Sequence, residues 1–222
     1  MITCCNLISG CIATVFGIYA EYEYALLFII IGAVFDFFDG FAARLLHVSS
    51  PIGKELDSLA DVVTFGVAPS AMLFTFFTLV LHVGDTIIPY QGFFAFLMAA
   101  FSALRLAKFN LDERQTLGFI GLPTPANALF WGALIVGSGK WISEYQLLVY
   151  ATILLFFVCC YLLISEIPMF ALKFKHWGWR GNEVKYIFLI SCLPILLFLR
   201  TAGLSVVIAW YVLLSVCTQH KQ

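Results

Sequence analysis

The chain has 222 residues, of which 62% are hydrophobic and 11% charged, with a mean hydropathy of +0.99. Soluble globular chains carry about 25% charged residues, so a soluble fold is excluded and an integral membrane protein is indicated. The net charge of −1 comes without a basic block, so no nucleic-acid partner is expected. A helical span needs about 20 apolar residues. The length therefore predicts an all-α membrane fold of about eight transmembrane helices, one polytopic domain over residues 1–222 with no space for a second soluble one.

The first predicted span covers residues 5–20. No basic segment precedes it and no clear cleavage site follows, so it reads as a span and not a signal peptide. Gly10 and Gly17 allow close helix approach. The second span covers 24–46. The third covers 55–82, where Pro69 removes a backbone donor and predicts a bend. Spans four to eight are expected at 91–109, 125–136, 145–164, 184–199 and 202–217. Lysine and arginine placement orients them. Arg44, Lys54, Arg105, Lys108, Arg114, Lys173, Lys175, Arg180, Lys185 and Lys221 fall on one side, and Lys140 and Arg200 on the other. This bias predicts cytoplasmic termini and a cytoplasmic end to span two.

The seven cysteines, Cys4, Cys5, Cys11, Cys159, Cys160, Cys192 and Cys217, show no C-x-x-C pair and no zinc spacing. They read as small apolar filler. Trp131, Trp141, Trp177, Trp179 and Trp210 read as interface or packing residues. His47, His82, His176 and His220 form no cluster in sequence.

Residues 36–61 stand apart. Four aspartates and an arginine lie among apolar neighbours, and ionisable groups at membrane depth mark working sites. Asp36 and Asp39 are spaced i, i+3; Asp57 and Asp61 are spaced i, i+4. On helices each pair shares a face, and Ser49-Ser50-Pro51 provides a turn that brings the two helices together. Converging carboxylates repel and resist ionisation. A bound cation relieves this, and oxygen ligands suit hard ions such as Mg²⁺ or Mn²⁺.

The stretch resembles the signature of the CDP-alcohol phosphotransferase family, Asp-x2-Asp-Gly-x2-Ala-Arg-x8-Gly-x3-Asp-x3-Asp. Every fixed position is filled, by Asp36, Asp39, Gly40, Ala43, Arg44, Gly53, Asp57 and Asp61. The resemblance implies two divalent cations, Mg²⁺ or Mn²⁺, held by Asp36, Asp39, Asp57 and Asp61, with Asp61 also the catalytic base. It implies a CDP site at Gly40, Ala43, Arg44 and Gly53. Arg44 can pair with phosphate or snorkel to the interface, and Gly53 can serve the turn. Asn6, in a segment similar to the family's first-helix entry, is a further candidate for the nucleotide.

Residues 57–69, 101–110 and 119–126 resemble the phosphatidylserine synthase branch of the family. That resemblance implies transfer of a phosphatidyl group from CDP-diacylglycerol to the hydroxyl of L-serine, with CMP released. Serine needs a cationic partner for its carboxylate, and the candidates for the acceptor site are Arg105, Lys108, Asn110 and Thr124, with an anchor or lipid-phosphate contact as the alternative for Lys108 and helix entry for Asn110 and Thr124. Arg105 is the choice for the serine carboxylate, with a cytosolic anchor as its structural alternative. Lys108 stands where arginine is more usual and lacks arginine's bidentate fork. The resemblance further implies a homodimer among membrane lipids in the cytoplasmic membrane, with the site facing the cytoplasm. The rivals are the same chemistry on glycerol 3-phosphate or inositol, and a divalent-cation transporter. Transporters often repeat their broken helices in two halves, and the aspartate pattern has no second copy.

Overall fold

The structure is a computed structural model that describes residues 2–46, 50–82, 89–111, 119–169, 178 and 182–218. Arg114, Lys173, Lys175, Arg180 and Lys221 of the charge bias lie outside the described residues, as do His47, His176, His220, Trp177 and Trp179. The described chain is helical almost throughout. In order come α1 (Ile2–Ile18), α2 (Tyr22–Leu45), α3 (Pro51–Asp61), a π-helical stretch (Val62–Val67), α4 (Ala68–Val80), a 3-10 stretch (Pro89–Phe96), α5 (Leu97–Leu111), α6 (Thr124–Glu144), α7 (Gln146–Ile164) and α8 (Glu183–Thr218). A two-residue ribbon pairs β1 (Phe119–Ile120) antiparallel with β2 (Pro168–Met169).

Five stretches are long and apolar enough to cross a membrane: Tyr22–Leu45, Pro51–Val80, Tyr90–Leu111, Gln146–Ile164 and Glu183–Thr218. The all-α membrane class stands; length and composition mark five spans among the described residues where about eight were expected. One boundary differs from expectation. Helix α6 runs through to Glu144 and does not stop near residue 136. Gly137 and Gly139 do not break it because neighbours occupy the space beside them. A Cβ on Gly137 would strike Ala202, and one on Gly139 would touch Phe76. At the C-terminal end the chain reverses at Arg200 (φ 49, ψ −125), so α8 is two arms, in line with the separate spans expected at 184–199 and 202–217. Trp210 Nε1 donates to Ser191 Oγ at 3.0 Å across them.

Residues 51–80 form the central rod, 67% buried over its most apolar stretch. Its start is encoded locally. Ser50 caps it, accepting from Gly53 N at 3.0 Å, and Pro51 follows in the first turn, where its missing N–H does no harm. The expected disturbance at Pro69 takes the form of the preceding π-helical turn. There Ala68 N–H reaches back to Val63 O. Widening the turn accommodates the proline ring and its absent donor without breaking the rod.

Helix α1 lies against this wide turn through small residues. A Cβ on Gly10 would collide with Thr64, and one on Gly32 of α2 would sit 3.0 Å from Asn6 Oδ1. Thr64 Oγ1 donates to Asn6 O at 3.0 Å. The apolar core continues away from this junction through Phe65, Met72, Phe77, Met98, Trp131 and Phe156, all buried. Phe77 packs on Phe94 with ring centroids 4.9 Å apart, and Phe156 meets Trp131 at 6.0 Å. Large apolar residues of α7 and α8, such as Leu147, Leu154, Leu197 and Phe198, point outward. That is the arrangement lipid requires.

A Gly10→Leu variant should lose about 1–3 kcal/mol of stability, a fall of roughly 3–10 °C in Tm, in a detergent melting experiment. Gly40→Ala should melt like the parent, because a Cβ at Gly40 meets nothing within 4 Å.

Candidate active site

Five helix ends meet at one end of the bundle: the start of α1, the end of α2, the start of α3, the end of α5 and the start of α6. From Asp61 to Val80 the rod rises about 28 Å at 1.5 Å per residue, close to the roughly 30 Å hydrocarbon thickness. The apolar part of the rod is thus long enough to span, which would leave the aspartates near one membrane surface.

Of the four aspartates expected to converge, three come together. Carboxylate oxygens of Asp36, Asp57 and Asp61 lie within 4.8 Å of one another. Asp36 and Asp57 are half-buried and Asp61 is buried. Asp39 lies on the same face one turn beyond Asp36 and accepts a hydrogen bond from Thr3 Oγ1 of α1. Among the described residues, Asp39 is not part of the close group. Three carboxylates at this spacing, two of them half-exposed, form an all-oxygen donor set suited to a hard divalent ion. The acidic triad can hold a metal ion.

Gly40 leaves open space above the backbone of α2. Ala43 and Arg44 are exposed on the next turn. Arg44 Nε donates to Gly40 O at 2.9 Å, which leaves its two terminal nitrogens for an anion. Gly53 donates its N–H to the Ser50 cap, so the turn into α3 depends on it. A Cβ there would lie 2.9 Å from Ser50 Oγ. Asn6, expected at the nucleotide, is fully buried, and its Nδ2 donates to Asp61 Oδ1 at 3.1 Å.

Arg105 is not a surface anchor. It is 7% exposed, its guanidinium carbon lies 5.7 Å from the centre of the Phe109 ring, and Nη1 reaches Thr124 Oγ1 at 3.5 Å. Its charge acts favourably on Asp61. Thr124 is set by Gly121, whose φ of +74° favours glycine. Gly121 N donates to Ile167 O at 2.9 Å, and Leu122 N to Leu162 O at 2.9 Å. These bonds tie the start of α6 to the end of α7. The other two acceptor candidates lie further along α5. Asn110 Nδ2 donates to Ser58 Oγ at 2.8 Å, and its carbonyl accepts from Lys54 Nζ at 3.1 Å, so it straps α5 to α3. Lys108 is exposed.

Sequence reasoning passed over Thr3, Ser102 and Asn127. Ser102 precedes Arg105 by one turn of α5, and Asn127 follows Thr124 by one turn of α6. Both are fully buried. Ser102 Oγ, Arg105 Nε and both polar side-chain atoms of Asn127 lack a hydrogen-bond partner among the described residues. The available signal was their i, i+3 spacing from the two flagged residues. A lone serine or asparagine in an apolar helix gives no more than that.

The CDP-alcohol phosphatidyltransferase family model matches residues 1–172. The chain belongs to that family. Its members transfer a substituted phosphate from a CDP-alcohol, and the chain is a membrane phosphotransferase of this kind. It is 42% identical over 126 residues to a Bacillus subtilis (strain 168) protein, covering 56% of this chain and 67% of the relative. A Methanocaldococcus jannaschii relative is 34% identical over 195 residues, covering 87% of this chain and 81% of the relative. A Saccharomyces cerevisiae relative is 39% identical over 123 residues, or 50% of this chain and 39% of the relative. All three carry the name CDP-diacylglycerol–serine O-phosphatidyltransferase.

Removing a carboxylate from the triad should weaken metal binding. Asp57→Asn should raise the Mn²⁺ dissociation constant at least about tenfold, since even supporting groups are worth 10–100-fold at metal sites. Electron paramagnetic resonance of free Mn²⁺ reads this directly. The exposed Glu55, changed to Gln, should leave the constant unaltered.

Proposed function

We propose that the chain transfers the phosphatidyl group of CDP-diacylglycerol to the hydroxyl of L-serine, releasing CMP. The observation that carries this reading is the buried Arg105 beside Thr124, one helix away from the acidic triad. A guanidinium with unused donors binds a carboxylate strongly, and serine brings a carboxylate next to the hydroxyl that must react. A phosphorylated acceptor would call for further cations. Among the described residues, Lys54 is engaged with Asn110 O and Lys108 faces outward.

Two divalent ions, Mg²⁺ or Mn²⁺, would be held by Asp36, Asp57 and Asp61, with Asp39 completing the set. Such ions neutralise a diphosphate and stabilise the attacking and leaving oxygens. The open surface over Gly40 and Ala43 would take the cytidine, and Arg44 a phosphate. Asp61 would accept the proton of the serine hydroxyl, which then attacks the phosphorus bonded to diacylglycerol. The bond to the CMP oxygen breaks, and CMP leaves with the electron pair. Asp61 is suited to this because it is the most buried of the three carboxylates and the one on which Arg105 acts. The ten-to-two bias of lysine and arginine supports a cytoplasmic site, where serine and CMP are exchanged with water while lipid enters from the side. A homodimer in the cytoplasmic membrane completes the reading.

The test is CMP release by purified protein with CDP-diacylglycerol and Mn²⁺, comparing serine, glycerol 3-phosphate and inositol. Release dependent on serine is expected; release driven by another acceptor would discard the role of Arg105. Arg105→Lys keeps the charge but loses the fork. It should raise the serine KM at least about tenfold, because hydrogen bonds to charged groups are worth about 1.5–3 kcal/mol. Asp61→Asn should abolish turnover in a protein that still folds.

A further inference from the structure

The start of α1 performs a task that neither the signature nor the family resemblance assigns. Asn6 is fully buried, lies outside the aspartate motif and touches it at one point. Its Nδ2 donates to Asp61 Oδ1 at 3.1 Å. The opposite orientation of the amide would set an oxygen against a carboxylate, so charge fixes which end faces Asp61. The cost of that choice is visible in the structure. Asn6 Oδ1 is buried without a hydrogen-bond partner among the described residues, beside Gly32, where a Cβ would lie 3.0 Å away.

The backbone of Asn6 is fixed as well. Its carbonyl accepts from Thr64 Oγ1 at 3.0 Å, and Thr64 lies in the wide turn that directly follows Asp61. Helix α1 therefore grips the rod on both sides of the helix-to-π transition, by a side chain at Asp61 and a carbonyl at Thr64. Gly10 and Gly32 make this possible, because a side chain at either would meet Thr64. A wide turn unsettles the direction of the side chains beside it. A buried donor from a neighbouring helix removes that freedom at Asp61.

We propose that Asn6 is the positioning residue for Asp61. It would hold one carboxylate oxygen so that the remaining lone pairs face Asp36, Asp57 and the ligand between them. Asn6 acts through Asp61 and binds no nucleotide. The inference rests on the reading of Asp61 as metal ligand and base. A supporting hydrogen bond to a metal-binding carboxylate is the kind of contact whose loss weakens affinity or activity 10–100-fold.

The experiment compares Asn6→Ala and the near-isosteric Asn6→Leu with Thr64→Val, which removes the neighbouring buried bond without touching Asp61. Each variant is measured for Tm, for Mn²⁺ dissociation constant by electron paramagnetic resonance, and for kcat and KM with CDP-diacylglycerol. For both Asn6 variants the Mn²⁺ constant should rise about tenfold and kcat fall at least about tenfold, with KM changed less than about twofold. Thr64→Val should lower Tm and leave the Mn²⁺ constant and kcat within about twofold. The Leu variant fills the space of the amide, so it supplies the answer if Ala fails to fold. If the Asn6 variants lose only Tm, as Thr64→Val does, or if KM for the nucleotide-lipid rises while Mn²⁺ binding holds, the proposal is overturned. Asp61→Asn in the same assay separates the two levels. Retained Mn²⁺ binding and turnover in that variant would remove the site reading itself, whatever Asn6 does.

Discussion

Three carboxylates held within 4.8 Å of one another at one end of an apolar helix bundle constrain everything else in this molecule. At an effective dielectric near 20, each ionised pair at that distance repels by about 3 kcal/mol. Such a group does not assemble by its own attraction; packing must hold it together. Glycine contacts between α1, α2 and the wide turn after Asp61 bring the helices close. The Ser50 cap fixes where α3 begins and so sets Asp57 and Asp61 in register with Asp36. A bound cation would convert the repulsion into binding energy.

The same constraint explains the distribution of polarity. One end of the bundle collects the acids, Arg105, Thr124 and the cap, while the core below is aromatic and dry. Arg105 can lie buried because it has Phe109 beneath it and Asp61 within reach of its charge. The straps between helix ends are short and polar, such as Asn110 to Ser58 and Gly121 to Ile167. They hold the rim of the site, where lipid-facing apolar contacts cannot. Under the proposed function, the acidic end of the bundle would stand where a lipid headgroup and a water-soluble acceptor both have access.

Much of this was legible in the sequence. Carboxylates at i, i+3 and i, i+4 on two apolar helices joined by a Ser-Ser-Pro turn leave few other arrangements; of the four expected to converge, Asp36, Asp57 and Asp61 form the close group and Asp39 stands outside it among the described residues. Pro69 announced a disturbance of the rod, although only the structure shows it as a wide turn at Val62–Val67. Other features depend on partners far apart in the chain. Asn6 and Asp61 are separated by most of α1, all of α2 and most of α3, so the hydrogen bond that gives Asn6 its role leaves no local pattern. The burial of Arg105 depends on where α6 begins, and an arginine at a helix end reads equally well as an anchor. Helix α6 outran its expected end because Gly137 and Gly139 look like breakers in sequence but serve as contact surfaces for Ala202 and Phe76. The reversal at Arg200 was legible, since a lone arginine between two apolar stretches separates the spans expected at 184–199 and 202–217.

The most direct measurement is the anomalous scattering of Mn²⁺ in crystals of the protein soaked with the ion. The expected result is a peak between Asp36, Asp57 and Asp61, within about 2.0–2.6 Å of their oxygens, the range of hard-cation bonds. A well-ordered protein with those three carboxylates bare and the ion bound elsewhere would contradict the central claim that this acidic junction is the metal centre.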